Sequence, residues 1–166
     1  SKQPFTIVHS SMGSLERILG AVLEERGKEI QRGEKPSFPY WLSPTQLRFI
    51  PVNDSYNESC EQLAKSLQRI RVDIDDRGES ISKKVRAAEM EWIPAYIVVG
   101  SKELESGSYN VKLRGKEFQD VNGQGLCLEA VAKILQNVQG NRPFRKSYLA
   151  MELTRQIRFG SYYWTY

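Results

Sequence analysis

The chain has few of the residues from which disulfide frameworks and metal sites are built. Its 166 residues include two cysteines and one histidine. Cys60 and Cys127 are far apart and show no paired spacing, which argues against both a disulfide framework and a zinc site. His9 has no carboxylate or cysteine companions that would make it a metal ligand or a general base, so we interpret it as structural. These residues therefore predict no metal site, and we also expect no cofactor and no catalytic residue in this chain.

Long apolar runs and phosphate-binding glycine loops are also missing. No apolar run approaches the length of a membrane span, and the N-terminus lacks the apolar segment of a signal peptide. These absences favour a cytoplasmic protein without a membrane partner. The chain begins at Ser1, without methionine and in the middle of a pattern, so we expect a fragment of a longer polypeptide.

Charge of neither sign dominates the composition. Lysine and arginine number 24 and aspartate and glutamate 20, which gives a formal net charge of +4. This small basic excess permits a polyanionic partner such as nucleic acid without requiring one. The chain has 166 residues, of which 40% are apolar. This length and composition are enough for one hydrophobic core with additional segments.

Residues 70–100 carry the clearest fold signal. Apolar residues alternate over residues 70–74, an acidic turn containing glycine follows, and an uninterrupted apolar run fills residues 95–99. Between the two runs, four apolar residues recur at the spacing of one helical face: Ile81, Val85, Ala88 and Trp92. The pattern predicts a strand, a helix and a second strand, which is the βαβ unit of a parallel sheet.

The flanking sequence predicts further elements of the same domain. Residues 47–52 form a first strand, and Ser55-x-x-Glu58 predicts a capping box that starts a helix. A turn at residues 106–108 suits a hairpin leading into a strand at residues 111–113. A last helix, from about residue 126 to residue 138, ends at Gly140. Its inward stripe is Leu128, Val131, Leu135 and Val138, and that of the first helix is Cys60, Leu63, Ala64 and Leu67.

These elements predict an α/β fold. Two crossovers of this length should be right-handed, so three strands run parallel and helices cover the sheet. The expected architecture is a three-layer sandwich with a mixed, mostly parallel sheet of about five strands.

The two ends of the chain differ from its centre. Residues 5–8 read as a short strand, and Ser14 caps a helix that Gly27 should end. Prolines and aromatic residues then predict an extended linker up to Pro44. Residues 141–166 are basic and aromatic. That composition suits a surface for single-stranded RNA, and it equally suits a terminal segment packed on its own domain, which is the reading we favour.

An ordered series of residues through the centre resembles a known family. It consists of Asp75-Asp76-Arg77-x-Glu79-x-Ile81-x-x-Lys84-x-Arg86, then Trp92-Ile93-Pro94-x-x-Ile97-Val98-Val99-Gly100-x-Lys102-Glu103, and finally Val111-Lys112-Leu113-Arg114. This series is similar to the C-terminal anticodon-binding domain of class II aminoacyl-tRNA synthetases. The preceding Tyr40-Trp41-Leu42-Ser43-Pro44-Thr45-Gln46 makes the chain most similar to threonyl-tRNA synthetases of the archaeal type.

The resemblance implies a division of the chain. Residues 1–27 correspond to the end of the class II catalytic domain, where a strand, a turn and a helix resemble motif 3. In that motif the arginine matching Arg17 contacts ATP, although Arg17 as a solvated helix residue is the reading we favour in this chain. Residues 28–45 are the linker, residues 46–140 the class IIa anticodon-binding domain, and residues 141–166 a tail docked on it.

The resemblance also implies a site for unstacked anticodon bases. Threonine anticodons share a central guanine, whose N1–H and N2–H₂ donors match a carboxylate. In the family, the glutamate matching Glu79 reads this guanine, and the basic residues matching Lys84 and Arg86 support the loop and its backbone. The remaining candidates for contact with bases or phosphates are Asn53, Arg77 and Arg114.

For the parent enzyme, the resemblance implies ATP-dependent attachment of threonine to tRNA(Thr), with Mg²⁺ and an active-site zinc. It also implies an upstream catalytic domain and a homodimer. The fragment itself should bind the anticodon loop and should not catalyse.

Other interpretations stay open from the sequence alone. Glu79 can simply favour the positive end of the following helix, Lys84 and Arg86 can be solvated, and Arg77 can pair with Asp75 or Asp76. The chain can also come from another class II synthetase, or from a non-catalytic paralogue that serves as an RNA- or protein-interaction module. A more remote alternative is Mg²⁺-dependent phosphoryl transfer at Asp73, Asp75 and Asp76.

Overall fold

The computed structural model describes residues 13–156. Within this range the chain forms two compact units, with the boundary between Pro36 and Ser37. The predicted strand at residues 5–8, His9 and the part of the tail after Gln156 lie outside the described residues. None of the described helices is both long and apolar enough to cross a membrane.

The first unit contains one long helix, α1 (Leu15–Gln31). The predicted end at Gly27 is wrong. A glycine inside a helix costs only about 1 kcal/mol relative to alanine, and ion pairs between Arg26 and Glu29 (3.2 Å) and between Lys28 and Glu24 (3.1 Å) span the position. The predicted linker sequence is therefore helical as far as Gln31. Three leucines of α1 are exposed: Leu15, Leu19 and Leu23.

The second unit is built on a four-stranded sheet. The strands are β1 (Leu47–Pro51), β2 (Val72–Ile74), β3 (Ala95–Val99) and β4 (Val111–Leu113), in the order β2-β1-β3-β4. β1 pairs in parallel with β2 and β3, and β4 is antiparallel to β3. This confirms the predicted α/β fold with a mixed, mostly parallel sheet. The sheet has four strands in the described chain, and the position beyond β2 holds only an isolated bridge between Ile74 and Glu152.

Helices cover both faces of this sheet. They are α2 (Asn57–Ser66), α3 (Ile81–Met90), α4 (Ser101–Ser106) and α5 (Leu128–Gln139). Successive strand residues point to opposite faces. Phe49 accordingly lies in the large core with residues of α2 and α5, and Ile50 packs with Ala88 of α3 in a smaller core. The arrangement is the expected sandwich of helix, sheet and helix.

The local predictions are confirmed in part. Val131 and Leu135 of the predicted inward stripe on α5 are fully buried. The predicted capping box at Ser55 is wrong, because Ser55 lies in a 3₁₀ turn and α2 starts later, at Asn57. Trp92 is not on the face of α3, since the helix ends at Met90 and Trp92 adopts a left-handed backbone with φ of 55°.

A buried ionic cluster links β1 to β2. Arg48 is only 2% exposed. Its Nε donates to Asp73 Oδ1 and its Nη2 to Asp73 Oδ2, each at 2.8 Å, while Nη2 also donates to Glu91 Oε2 at 2.7 Å. Thr45 Oγ1 donates to Asp73 Oδ2 at 3.0 Å. The cluster satisfies both carboxylate oxygens of Asp73 inside the protein.

The described part of the tail packs on the second unit. The Arg71 guanidinium lies 5.4 Å from the centre of the Phe144 ring, and Leu153 is buried. Arg71 also donates to the carbonyl oxygens of Trp41 and Ser43, at 2.7 and 2.8 Å. The segment after α5 is therefore held against the residues that lead into β1.

The two cysteines differ in accessibility, which predicts a difference in reactivity. Cys60 is buried and burial raises the pKa of its thiol to about 12, whereas Cys127 is exposed. Because the thiolate is the reactive form, we expect one thiol per native chain to react with Ellman's reagent at pH 8 and two after denaturation. Replacing Cys127 with serine should abolish the native reaction. Rapid modification of Cys60 in the folded protein would contradict its burial.

Candidate nucleic-acid interface

The carboxyl ends of three parallel strands meet at one edge of the sheet. β1 leads into Asn53, β2 into the acidic turn at residues 75–80, and β3 into Gly100. Backbone hydrogen bonds continue across this edge, from Val52 N to Val99 O and from Asp75 N to Phe49 O, both at 2.9 Å. Such an edge is where open α/β sheets bind ligands. We call it the carboxyl edge.

The acidic turn after β2 is anchored by an ion pair. Asp75 is fully buried and accepts hydrogen bonds from Arg77 Nε at 2.7 Å and from Arg77 Nη2 at 2.6 Å. Burial alone would raise the pKa of Asp75, but the hydrogen bonds and charge of Arg77 outweigh it and hold the pKa below its usual value. The interpretation that Arg77 pairs with Asp75 is confirmed. Its guanidinium is therefore engaged within the turn.

Glu79 stands at the open end of the same turn. Its backbone N–H donates to Arg77 O at 2.8 Å, and Ser80 then takes the N-cap position of α3. The Glu79 side chain is exposed and makes no hydrogen bond to another residue within 13–156. The turn therefore presents to solvent a carboxylate, a group that only accepts hydrogen bonds when ionised.

Lys84 lies beneath this edge. It is 3% exposed on the inner face of α3, and its Nζ donates to Pro51 O, the last residue of β1, at 3.3 Å. The alternative of a solvated Lys84 is therefore wrong. The buried ammonium ties the helix that follows the turn to the end of the neighbouring strand.

The other candidates are not all at this edge. Asn53 and Arg86 are exposed, one directly after β1 and the other on α3. Arg114 follows β4, which runs antiparallel to β3, so Arg114 lies at the opposite edge of the sheet. There its backbone N–H donates to Pro94 O and its Nη1 to Glu89 O. The structure does not bring Arg114 together with Glu79. Arg17 is exposed on α1, in the first unit.

One exposed residue of the carboxyl edge escaped the sequence interpretation. Lys102 lies in the first turn of α4, directly after β3. Glu103 caps this helix by accepting a hydrogen bond from Gly100 N at 3.0 Å. The signal for Lys102 was its position after the third parallel strand, where loop residues join those of the other two strands.

The three aspartates in and directly after β2 do not form a cation site. Asp73 pairs with Arg48, Asp75 pairs with Arg77, and Asp76 accepts hydrogen bonds from Thr154. No group of three metal-ligating residues occurs among residues 13–156. The arrangement does not support the phosphoryl-transfer alternative.

Comparison with known sequences shows which family the chain belongs to. Residues 46–137, more than half of the chain, match the model of the anticodon binding domain. The chain belongs to the anticodon binding domain family. The carboxyl edge described above lies within the matched part of this anticodon binding domain.

The chain is similar to threonine–tRNA ligases. It is 40% identical over 162 residues to the threonine–tRNA ligase of Pyrococcus horikoshii, and this match covers 95% of the chain and 25% of the ligase. It is also 40% identical over 157 residues to the threonine–tRNA ligase of Methanosarcina mazei, and this match covers 93% of the chain and 24% of the ligase. The resemblance noted in the sequence is confirmed. The chain spans about a quarter of the length of these relatives.

Solved structures share the fold. The RNA binding domain of threonyl-tRNA synthetase from Cryptosporidium parvum superposes with a TM-score of 0.60 at 22% identity, covering 76% of this chain and 29% of that one. A putative threonyl-tRNA synthetase from Aeropyrum pernix gives a TM-score of 0.54 at 22% identity, covering 86% of this chain and 33% of that one. At this identity the likeness concerns the fold.

Proposed function

We propose that this chain recognises the anticodon loop of tRNA(Thr) as the C-terminal region of a threonyl-tRNA synthetase. The single observation that carries the proposal is Glu79, an exposed carboxylate on an anchored turn at the carboxyl edge of an anticodon binding domain. The names of the relatives supply the amino acid, since they are threonine–tRNA ligases.

In the proposed mechanism, the central anticodon base leaves the stack and presents its Watson–Crick edge to Glu79. The carboxylate accepts hydrogen bonds from N1–H and N2–H₂ of guanine, whereas adenine at this position offers no N1–H and no 2-amino group. Asn53, Arg86 and Lys102 lie on neighbouring loops and helices, where exposed amide and cationic groups suit the other bases and the phosphates. Buried Lys84 and paired Arg77 hold the scaffold.

The chemistry of the parent enzyme belongs to the rest of that enzyme in this proposal. The parent attaches threonine to tRNA in the cytoplasm as a homodimer, and it uses ATP, Mg²⁺ and zinc. No group of three metal-ligating residues occurs between Gly13 and Gln156, so the described residues do not fit either metal. We further propose that residues 1–27 complete the catalytic domain, residues 28–45 connect it, residues 46–140 read the anticodon and residues 141–166 are a docked tail. Exposed leucines on α1 suit a helix that packs in a larger domain.

Replacing Glu79 with alanine tests the proposal. We expect the variant to lose about 1–3 kcal/mol of discrimination between anticodon stem–loops with a central guanine and a central adenine, because two hydrogen bonds to guanine are removed. The measurement is the ratio of the two dissociation constants, by fluorescence anisotropy. Circular dichroism should show an unchanged fold, since the side chain is exposed.

Glu129→Ala is the matched control for this experiment. Glu129 is an exposed carboxylate in the first turn of α5, so its removal changes the net charge and a helix N-terminus in a similar way. Discrimination should persist in this control. An equal loss of affinity for both stem–loops in Glu79→Ala would contradict base reading. Binding that is undetectable at low salt would favour a protein-interaction module, whereas a steep fall of affinity with salt supports contacts with the RNA backbone.

A further inference from the structure

The described tail runs beside the edge strand of the sheet. β2 is the outermost strand next to β1. Its Ile74 N–H donates to Met151 O at 2.8 Å, and Ile74 forms a parallel bridge with Glu152. The next residue, Leu153, is buried. Residues 151–152 therefore lie beside the end of β2 through this single bridge, and a 3₁₀ turn (Leu153–Arg155) follows directly.

Directly after this bridge, the tail contacts the acidic turn through Asp76 and Thr154. The backbone N–H of Thr154 donates to Asp76 Oδ1 at 2.9 Å, and the Thr154 hydroxyl donates to Asp76 Oδ2. Both oxygens of one carboxylate are thus held by one residue that lies 78 positions later in the sequence. Neither Asp76 nor Thr154 belongs to the proposed base-reading group.

The turn is consequently held from two sides. On the β1 side, Asp75 donates its N–H to Phe49 O and pairs with Arg77. On the tail side, Asp76 is held by Thr154. Between these anchors and α3 stand Gly78 and Glu79, and the glycine gives this part of the backbone more freedom than other residues would. Glu79 thus follows both anchors by three to four residues in the same turn.

We propose that Asp76 and Thr154 are positioning residues, through which the C-terminal tail sets the base specificity of Glu79. This inference rests on the proposed function. Without the contact, the free turn samples more conformations. Binding of the guanine edge must then order the turn, and the lost conformational entropy weakens binding. The tail then acts on recognition without contacting RNA.

Thr154→Val tests the proposal, because it removes the hydroxyl and keeps the volume and the backbone N–H. The loss of one hydrogen bond predicts about a threefold to tenfold smaller ratio between the dissociation constants for central-adenine and central-guanine stem–loops. Thr154→Ser restores the hydroxyl and should keep the wild-type ratio. Arg155→Ala removes the neighbouring ion pair with Glu152 and should leave the ratio unchanged.

Amide hydrogen exchange supplies a second readout that does not require RNA. Exchange at residues 77–80 should accelerate in Thr154→Val and in Asp76→Ala, while it stays unchanged in Thr154→Ser. If any variant fails to fold, Asp76→Asn keeps an acceptor for one of the two bonds and should show an intermediate effect in both measurements.

The possible failures are distinguishable. A wild-type chain that does not separate guanine from adenine would overturn the proposed function together with this inference. Wild-type discrimination that persists unchanged in Thr154→Val and Asp76→Asn would overturn this inference alone. A lower melting temperature with unchanged discrimination would show that the contact is merely structural, and it would also overturn the positioning role.

Discussion

Replacing Asp73 with alanine should destabilise the second unit by about 3–5 kcal/mol. The substitution removes the partner that accepts two hydrogen bonds from Arg48, which is 2% exposed and keeps its charge. Glu91 remains as a partner of Arg48, but it replaces neither the bidentate geometry nor the contact with Thr45. Urea denaturation, followed by circular dichroism, measures the free energy of unfolding.

The control for this prediction removes both charges. A buried ion pair is often replaceable by apolar side chains of similar size with little loss, so Arg48→Met combined with Asp73→Leu should recover most of the stability. Asp120→Ala, which removes an exposed carboxylate, should change the free energy of unfolding by less than about 0.5 kcal/mol. A loss of less than about 1 kcal/mol in Asp73→Ala would show that the buried arginine is hydrated.

Replacing Gly123 with alanine should cost about 3 kcal/mol of the free energy of unfolding. A Cβ at this position would lie 2.1 Å from Val111 O, a backbone atom of β4 that no rotamer change can move. Gly123 O also accepts a hydrogen bond from Val111 N at 2.7 Å, so relief of the clash would separate this pair. The contact between β4 and the loop that contains Gly123 would be disturbed as a result.

Gly78→Ala is the matched control for this second substitution. Its Cβ would have no neighbour within 4 Å, and Gly78 does not have a positive φ. We expect the free energy of unfolding to change by at most about 1 kcal/mol. Because alanine restricts the unfolded chain more than glycine does, the change should be stabilising. Equal losses in the two variants would mean that backbone entropy, and not the close approach to Val111, decides the effect.

The fold was predictable wherever the pattern was local and repetitive. Alternating residues before the acidic turn and the apolar run after it were enough to predict parallel strands, and the stripe of α5 gave its buried face. The position of Arg114 depends on the direction of β4. Because β4 is antiparallel to β3, the residue after β4 lies at the opposite edge of the sheet. The prediction that the first helix ends at Gly27 failed because ion pairs along α1 span the glycine.

The site was less predictable because its partners are distant in the sequence. Arg48 and Asp73 lie 25 positions apart, and Asp76 and Thr154 lie 78 positions apart. The periodic spacing of apolar residues in a sequence does not reveal such pairs. Lys84 was hard to place for a related reason, since a lysine suggests solvent unless a buried acceptor such as Pro51 O is known. Glu79 could be singled out only through the resemblance, because it matches the glutamate of the family's motif, and its exposure became known from the structure.

The common direction of β1, β2 and β3 places the incoming chain and the turn with Glu79 at opposite ends of the sheet. Residues 40–46 deliver the chain to the amino end of β1, whereas the turn with Glu79 projects from the other end. A change of length in the polypeptide before Tyr40 would therefore act at the amino end of β1, a whole strand away from the loops of the carboxyl edge. We expect those loops to keep their shape in such variants.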